Sequence, residues 1–180
     1  KLLDIEVLAS NICMVIFDVD GVLTDGSLYL SDSGQELKAF NSRDGHGMKM
    51  LQEAGISIAV ITGRESELVR IRMASLNIKY VFQGVEDKLE SYEDLKKKIG
   101  LSDSQIACVG DDIVDLPMIY KAGLSFCVAD GHELVKQKAT YVTKSKGGRG
   151  AAREICELLL KSQGKFDSII KGRPGNHQRA

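Results

Sequence analysis

The run Val15-Ile16-Phe17-Asp18-Val19-Asp20-Gly21-Val22-Leu23-Thr24 decides the fold. Its opening apolar residues show no in/out alternation, so they read as a strand covered on both faces. That strand runs straight into two carboxylates one residue apart, and Gly21 then frees the backbone to turn sharply. Open α/β sheets bind their ligands at the carboxyl ends of strands, which is where this pair falls. Two acids so close repel each other unless a cation or a shared proton relieves them. The pair therefore implies a hard divalent metal, acid/base work, or both.

Working outward, short apolar runs rich in β-branched residues recur at 12–17, 57–61, 78–82, 105–109 and 124–128, with a weaker one at 140–142. Between them lie stretches of helical periodicity at 45–54, 66–76, 88–99, 113–122, 132–136 and 149–163, three of them stopped by Gly55, Gly100 and Gly123 in expected left-handed C-terminal positions. The alternation predicts an α/β fold, a parallel sheet covered by helices. One segment breaks the rhythm. Residues 27–40 read as a β-hairpin with the polar turn Ser31-Asp32-Ser33-Gly34, and Leu28, Leu30, Leu37 and Phe40 make it more apolar than a solvated flap needs. Packing against another subunit or back onto its own domain would each account for that. Residues 1–170 form one expected domain, and 171–180, polar and punctuated by glycine and proline, a flexible tail.

Composition narrows the classes of function. The 180 residues are 43% hydrophobic and 27% charged, with two prolines and a formal net charge of -1, as in an ordinary soluble globular protein. Such a charge gives no general field for nucleic acid or an anionic membrane, so affinity for phosphate has to be local. No apolar stretch reaches the roughly 18 residues of a membrane span and no signal core opens the chain, which predicts a cytoplasmic protein. Cys13, Cys108, Cys127 and Cys156 are widely spaced and read as core residues rather than as disulfides or zinc ligands.

Further strand ends supply further chemistry. Ile61-Thr62-Gly63-Arg64 offers a hydroxyl, an exposed backbone and a guanidinium suited to phosphate. Lys88 enters a helix after the third strand and can give a point positive charge, although a surface lysine would be the plain alternative. Val109-Gly110-Asp111-Asp112-Ile113-Val114-Asp115 brings a second acidic cluster suited to metal. Each group has a structural alternative: Asp20 capping the turn, Thr62 capping a helix, Asp111 or Asp112 capping the next. Their order, each at a strand end, is far more specific than any one of them.

That order resembles the haloacid dehalogenase superfamily of phosphohydrolases, on Asp18-x-Asp20, Thr62, Lys88 and Asp111-Asp112. A narrower likeness, to members acting on an eight-carbon sugar acid phosphate in lipopolysaccharide precursor synthesis, rests on 18–26, on Lys38-Ala39-Phe40-Asn41-Ser42-Arg43-Asp44-Gly45 and on Gly147-Gly148-Arg149-Gly150-Ala151. The resemblance implies a Rossmann-like doubly wound sheet without a cap domain, whose hairpin takes part in a homotetramer and whose neighbouring subunit helps close the site. It assigns Asp18 as nucleophile and Asp20 as acid and base, with Mg2+ held by Asp18, Asp111 and the Asp20 carbonyl. Thr62, Gly63, Lys88 and the backbone near Asp20 would meet the phosphoryl oxygens, with Asp112 and Asp115 orienting Lys88 or bound water. Asn41, Ser42, Arg43, Asp44 and Gly45, joined by Arg64 and Arg72, would hold the sugar acid. The tail, with Arg173 or Arg179, would fold over a neighbouring site or stay disordered. A nine-carbon sugar acid phosphate would suit the same core. A non-catalytic aspartyl-phosphate switch is the rival of another class, opposed by the tandem Asp18-x-Asp20.

Overall fold

The computed structural model describes residues 2–172, so Arg173, Arg179 and the rest of the expected tail beyond 172 lie outside the described residues. After α1 (Leu2–Ser10) the chain enters β1 (Met14–Phe17), then the hairpin strands β2 (Tyr29–Leu30) and β3 (Glu36–Leu37), and α2 (Ser42–Glu53). It continues through β4 (Ser57–Ile61), α3 (Glu67–Ser75), β5 (Tyr80–Phe82), α4 (Lys88–Ile99) and β6 (Ile106–Gly110). A 3-10 turn at Ile113–Asp115 leads to α5 (Leu116–Lys121), β7 (Leu124–Cys127), α6 (Glu133–Lys138), β8 (Tyr141–Val142), α7 (Ala151–Ser162) and α8 (Phe166–Lys171). The six-stranded sheet is ordered β5-β4-β1-β6-β7-β8 and its pairs are parallel.

Successive strand residues serve two cores. Val15 and Phe17 pack with Ile58, Val60 and Val109 against α2, α3 and α7, whereas Met14 and Ile16 pack with Ala59, Ile61 and Cys108 against α4, α5 and α6. Both sets of alternating positions are apolar because both faces are covered, which is why the strands read as continuous apolar runs. The order of the strands reverses at β1, which pairs with β4 on one side and β6 on the other. Crossovers on opposite faces part there and leave a crevice at the carboxyl ends, where open sheets of this kind bind ligands.

Several boundaries differ from expectation. Helix α2 starts at Ser42, not 45, because the Asn41 side chain accepts from the Arg43 and Asp44 N–H groups and caps it. The helix expected over 113–122 is split, with Pro117 in the first turn of α5. Gly100 ends α4 in the left-handed conformation with φ 72°, but Gly123 does not: a Cβ there would lie 2.5 Å from Ser104 Cα, so close backbone approach is what requires glycine. Cys13 is exposed at the amino edge of the sheet, whereas the other three cysteines are buried as expected. Phe40 turns back to pack on the first core, while Leu28, Leu30 and Leu37 stay exposed on the hairpin. Among the described residues no helix is long and apolar enough to cross a membrane.

Candidate active site

Asp18 extends β1 by one residue, its N–H donating to the Val109 carbonyl at 3.1 Å, so the carboxylate is held by the sheet itself. The chain then winds tightly: the N–H groups of Val22, Leu23 and Thr24 all donate to the Val19 carbonyl, and the buried Thr24 hydroxyl accepts from the N–H groups of Gly21 and Gly26. Gly21 has φ 90°, and a Cβ there would stand 2.0 Å from Asp111 Oδ2. Only glycine lets the carboxylate after β6 approach the turn after β1. The run 147–150 has a related cause. Gly148 donates its N–H to the Val22 carbonyl at 2.8 Å, and a Cβ on Gly147 would meet the Gly21 carbonyl oxygen at 1.6 Å.

Lys88 opens α4 just after its Asp87 cap and is buried. Its ammonium lies 3.0 Å from Asp18 Oδ1 and 2.6 Å from Asp115 Oδ1. Burial works against its charge, but the two carboxylates outweigh it and hold the lysine pKa above its ordinary value. Asp115 is fully buried, and its second oxygen accepts the N–H groups of Asp111 and Asp112 at 2.9 and 3.2 Å. Burial, then repulsion from Asp115, raises Asp18 to about 6 despite Lys88. Burial, then repulsion from Asp18 and Asp115, raises Asp111 to about 8.

Asp18, Asp111 and Asp115 bring carboxylate oxygens within 4.8 Å of one another. An all-oxygen set with two carboxyls reluctant to ionise fits a hard divalent cation. Both Asp115 oxygens are engaged by protein donors, so Asp18 and Asp111 are the two side chains of the group that could hold such an ion, and Asp115 is bonded to Lys88. Thr62 is buried at the end of β4, its N–H donating to the Phe82 carbonyl, and with Gly63, Arg64 and Val85 it forms the opposite wall. These groups enclose a cleft of about 240 Å³.

The expected site residues thus divide. Asp18, Asp20, Thr62, Gly63, Arg64, Lys88 and Asp111 all line the cleft. Asp112 lines it as well, its side chain accepting from the Ile113 N–H to cap the 3-10 turn. Asn41, Ser42, Arg43, Asp44, Gly45 and Arg72 do not line it. Asn41 caps α2. Asp44 is buried and accepts from the N–H groups of Gly150 and Arg153, which fastens α2 to α7. Arg72 lies over the Phe40 ring and, with Ser42 and Gly45, borders a separate depression, while Arg43 is exposed on the first turn of α2. Two residues without an expected role join the site. Lys38 Nζ stands 2.5 Å from Asp20 Oδ1, and Glu36 Oε1 accepts from Arg64 at 2.8 Å. Their only sequence signal was a place in or beside the run 38–45.

A family profile for haloacid dehalogenase-like hydrolases matches residues 81–155. The chain is 48% identical over 164 residues to the 3-deoxy-D-manno-octulosonate 8-phosphate phosphatase KdsC of Escherichia coli (strain K12), covering 91% of this chain and 87% of that one. The crystal structure of the 3-deoxy-D-manno-octulosonate 8-phosphate phosphatase of Yersinia pestis superposes with a TM-score of 0.90 at 46% identity, over 91% of this chain and 89% of that chain. The enzyme of that name from Moraxella catarrhalis, solved in complex with magnesium ion, phosphate ion and a KDO molecule, superposes with a TM-score of 0.93 at 40% identity, over 94% and 98%.

Proposed function

Since the chain belongs to the 3-deoxy-D-manno-octulosonate 8-phosphate phosphatases among the haloacid dehalogenase-like hydrolases, we infer that it releases phosphate from that eight-carbon sugar acid 8-phosphate through an aspartyl phosphate. The observation that carries the reading is the convergence of Asp18, Thr62, Lys88 and Asp111 from four separate segments on one cleft.

An Asp18 carboxylate oxygen attacks phosphorus, and the bond from phosphorus to the sugar oxygen breaks with its electron pair going to that oxygen. Asp20 gives the departing oxygen a proton. It then takes one from the water that attacks phosphorus in the second step, so Asp18 is returned as a carboxylate and phosphate leaves. Asp18, Asp111 and the Asp20 carbonyl would hold Mg2+, which would supply the positive charge that lets an anionic nucleophile meet an anionic phosphate. Lys88, pinned by Asp115, meets charge on the transferring oxygens together with the Thr62 hydroxyl and the backbone of Gly63. Arg64 binds the sugar acid, a reading supported by its place in the lining of the cleft.

The sugar-binding set is completed by a second subunit in a homotetramer. In favour of this, the hairpin exposes Leu30 and Leu37 at 67% and 68%, and Ser42, Arg43, Gly45 and Arg72 stand outside their own cleft. The cytoplasm is the working compartment, in keeping with free Cys108, Cys127 and Cys156.

Phosphate release from eight- and nine-carbon sugar acid phosphates and from simple phosphate esters tests the reading. The expected outcome is a kcat/KM for the eight-carbon compound on the order of 10²-fold above simple esters, abolished in Asp18→Asn and without Mg2+. Equal turnover of all the esters would refute the assignment.

A further inference from the structure

We propose that Lys38 is a positioning residue for phosphoryl transfer: reaching in from the hairpin, it fixes one oxygen of Asp20 so that the other is presented to the leaving-group oxygen. The proposal rests on the reading of Asp20 as the proton donor. Lys38 follows directly on β3, whose Leu37 points out to solvent, yet the Lys38 side chain is only 2% exposed. Ordering and burying a lysine costs rotamer freedom and hydration, and the compensation comes from two carboxylates, Asp20 Oδ1 at 2.5 Å and Glu36 Oε1 at 3.4 Å. Lys38 does not line the cleft and Asp20 does, so the lysine acts through Asp20 and not on the substrate.

The other cation near Asp20 is a weaker holder. Arg64 Nε stands 3.9 Å from Asp20 Oδ2, its side chain is 48% exposed, and its closer partner is Glu36 at 2.8 Å. When Arg64 turns to a bound sugar acid, Lys38 remains as the group that keeps the Asp20 carboxyl in place. Two carboxylates and two cations are thereby shared in a ring, and the hairpin contributes one of each.

Single-turnover release of the leaving group, with enzyme in excess and Mg2+ present, tests this because it reads only the transfer to Asp18, and steady-state assays of the same variants supply KM. The alkyl leaving group of the sugar acid 8-phosphate needs a proton, whereas p-nitrophenolate leaves without one. Lys38→Met should slow the sugar phosphate about 10- to 100-fold with KM changed less than about twofold, and slow p-nitrophenyl phosphate less than about threefold. Lys38→Gln should give the same pattern should the Met variant fail to fold. Equal losses on both esters, a loss confined to KM, or no loss would overturn the positioning role. Asp20→Asn run in parallel separates the two ideas. A flat leaving-group response in Asp20→Asn would remove the acid role and the inference with it. A steep response in Asp20→Asn beside a flat one in Lys38→Met would overturn the inference alone.

Discussion

At Asp18 and Asp111 the protein keeps carboxyls that burial and repulsion from neighbouring carboxylates, Asp115 in both cases, push up from an ordinary 3.8 to about 6 and about 8. Without metal, the folded chain therefore holds protons that the unfolded chain has already released across that window. Linkage gives the sign: stability of the metal-free protein falls as pH rises from about 4 to about 8, because the ionised pair is penalised only when folded. Mg2+ favours the ionised pair, so its thermal stabilisation should be larger near pH ~8.5 than near pH ~5.5. Melting curves with and without Mg2+ at both values check this, and equal shifts would contradict it. Asp115 offers a second prediction. Each of its oxygens receives only donors, Lys88 on one side and two backbone N–H groups on the other. An amide must turn its NH2 toward one of those sets, so Asp115→Asn should cost about 1–3 kcal/mol in chemical denaturation. Its kcat should fall on the order of 10-fold or more as Lys88 loses alignment.

Among the elements, the loop from β8 to α7 matters to the site as much as the strands do. The Gly147 backbone rests on the Gly21 carbonyl, with no side chain between them that could swing aside. Gly147→Ala should displace the turn carrying Asp18 and Asp20 and lower kcat on the order of 10²-fold, with a fall in melting temperature. Unchanged kcat in the folded variant would show that the loop yields instead. The strands and the longer helices α2, α4 and α7 were legible from their apolar periods, since each buries a face that its own sequence must pattern. Helix α8, Phe166–Lys171, is six residues long, too short for a 3.6-residue period to stand out, and α1 is apolar without a polar face to mark it. The run 41–45 has structural work that its sequence did not announce. Its polar residues invite a ligand, but the backbone groups at the starts of α2 and α7 claim Asn41 and Asp44.

For the molecule as a whole, the exposed apolar hairpin bears on assembly. Lysine at Leu30 and Leu37 should cost a single chain less than about 0.5 kcal/mol per site, because both side chains are exposed there. Light scattering of Leu30→Lys/Leu37→Lys should then show a species smaller than a tetramer, with kcat/KM lowered more than kcat. A tetramer of unchanged mass would refute the hairpin interface. The sequence by itself determined the α/β class and picked out the candidate catalytic groups, because strands buried on both faces must be apolar throughout and the polar residues then fall at their ends. Only the tertiary structure decided which of those groups meet. Lys38 and Asp20 are 18 residues apart, and Gly21 and Gly147 sit on different elements. Their contacts follow from the order of strands and the packing of loops, which local pattern does not encode.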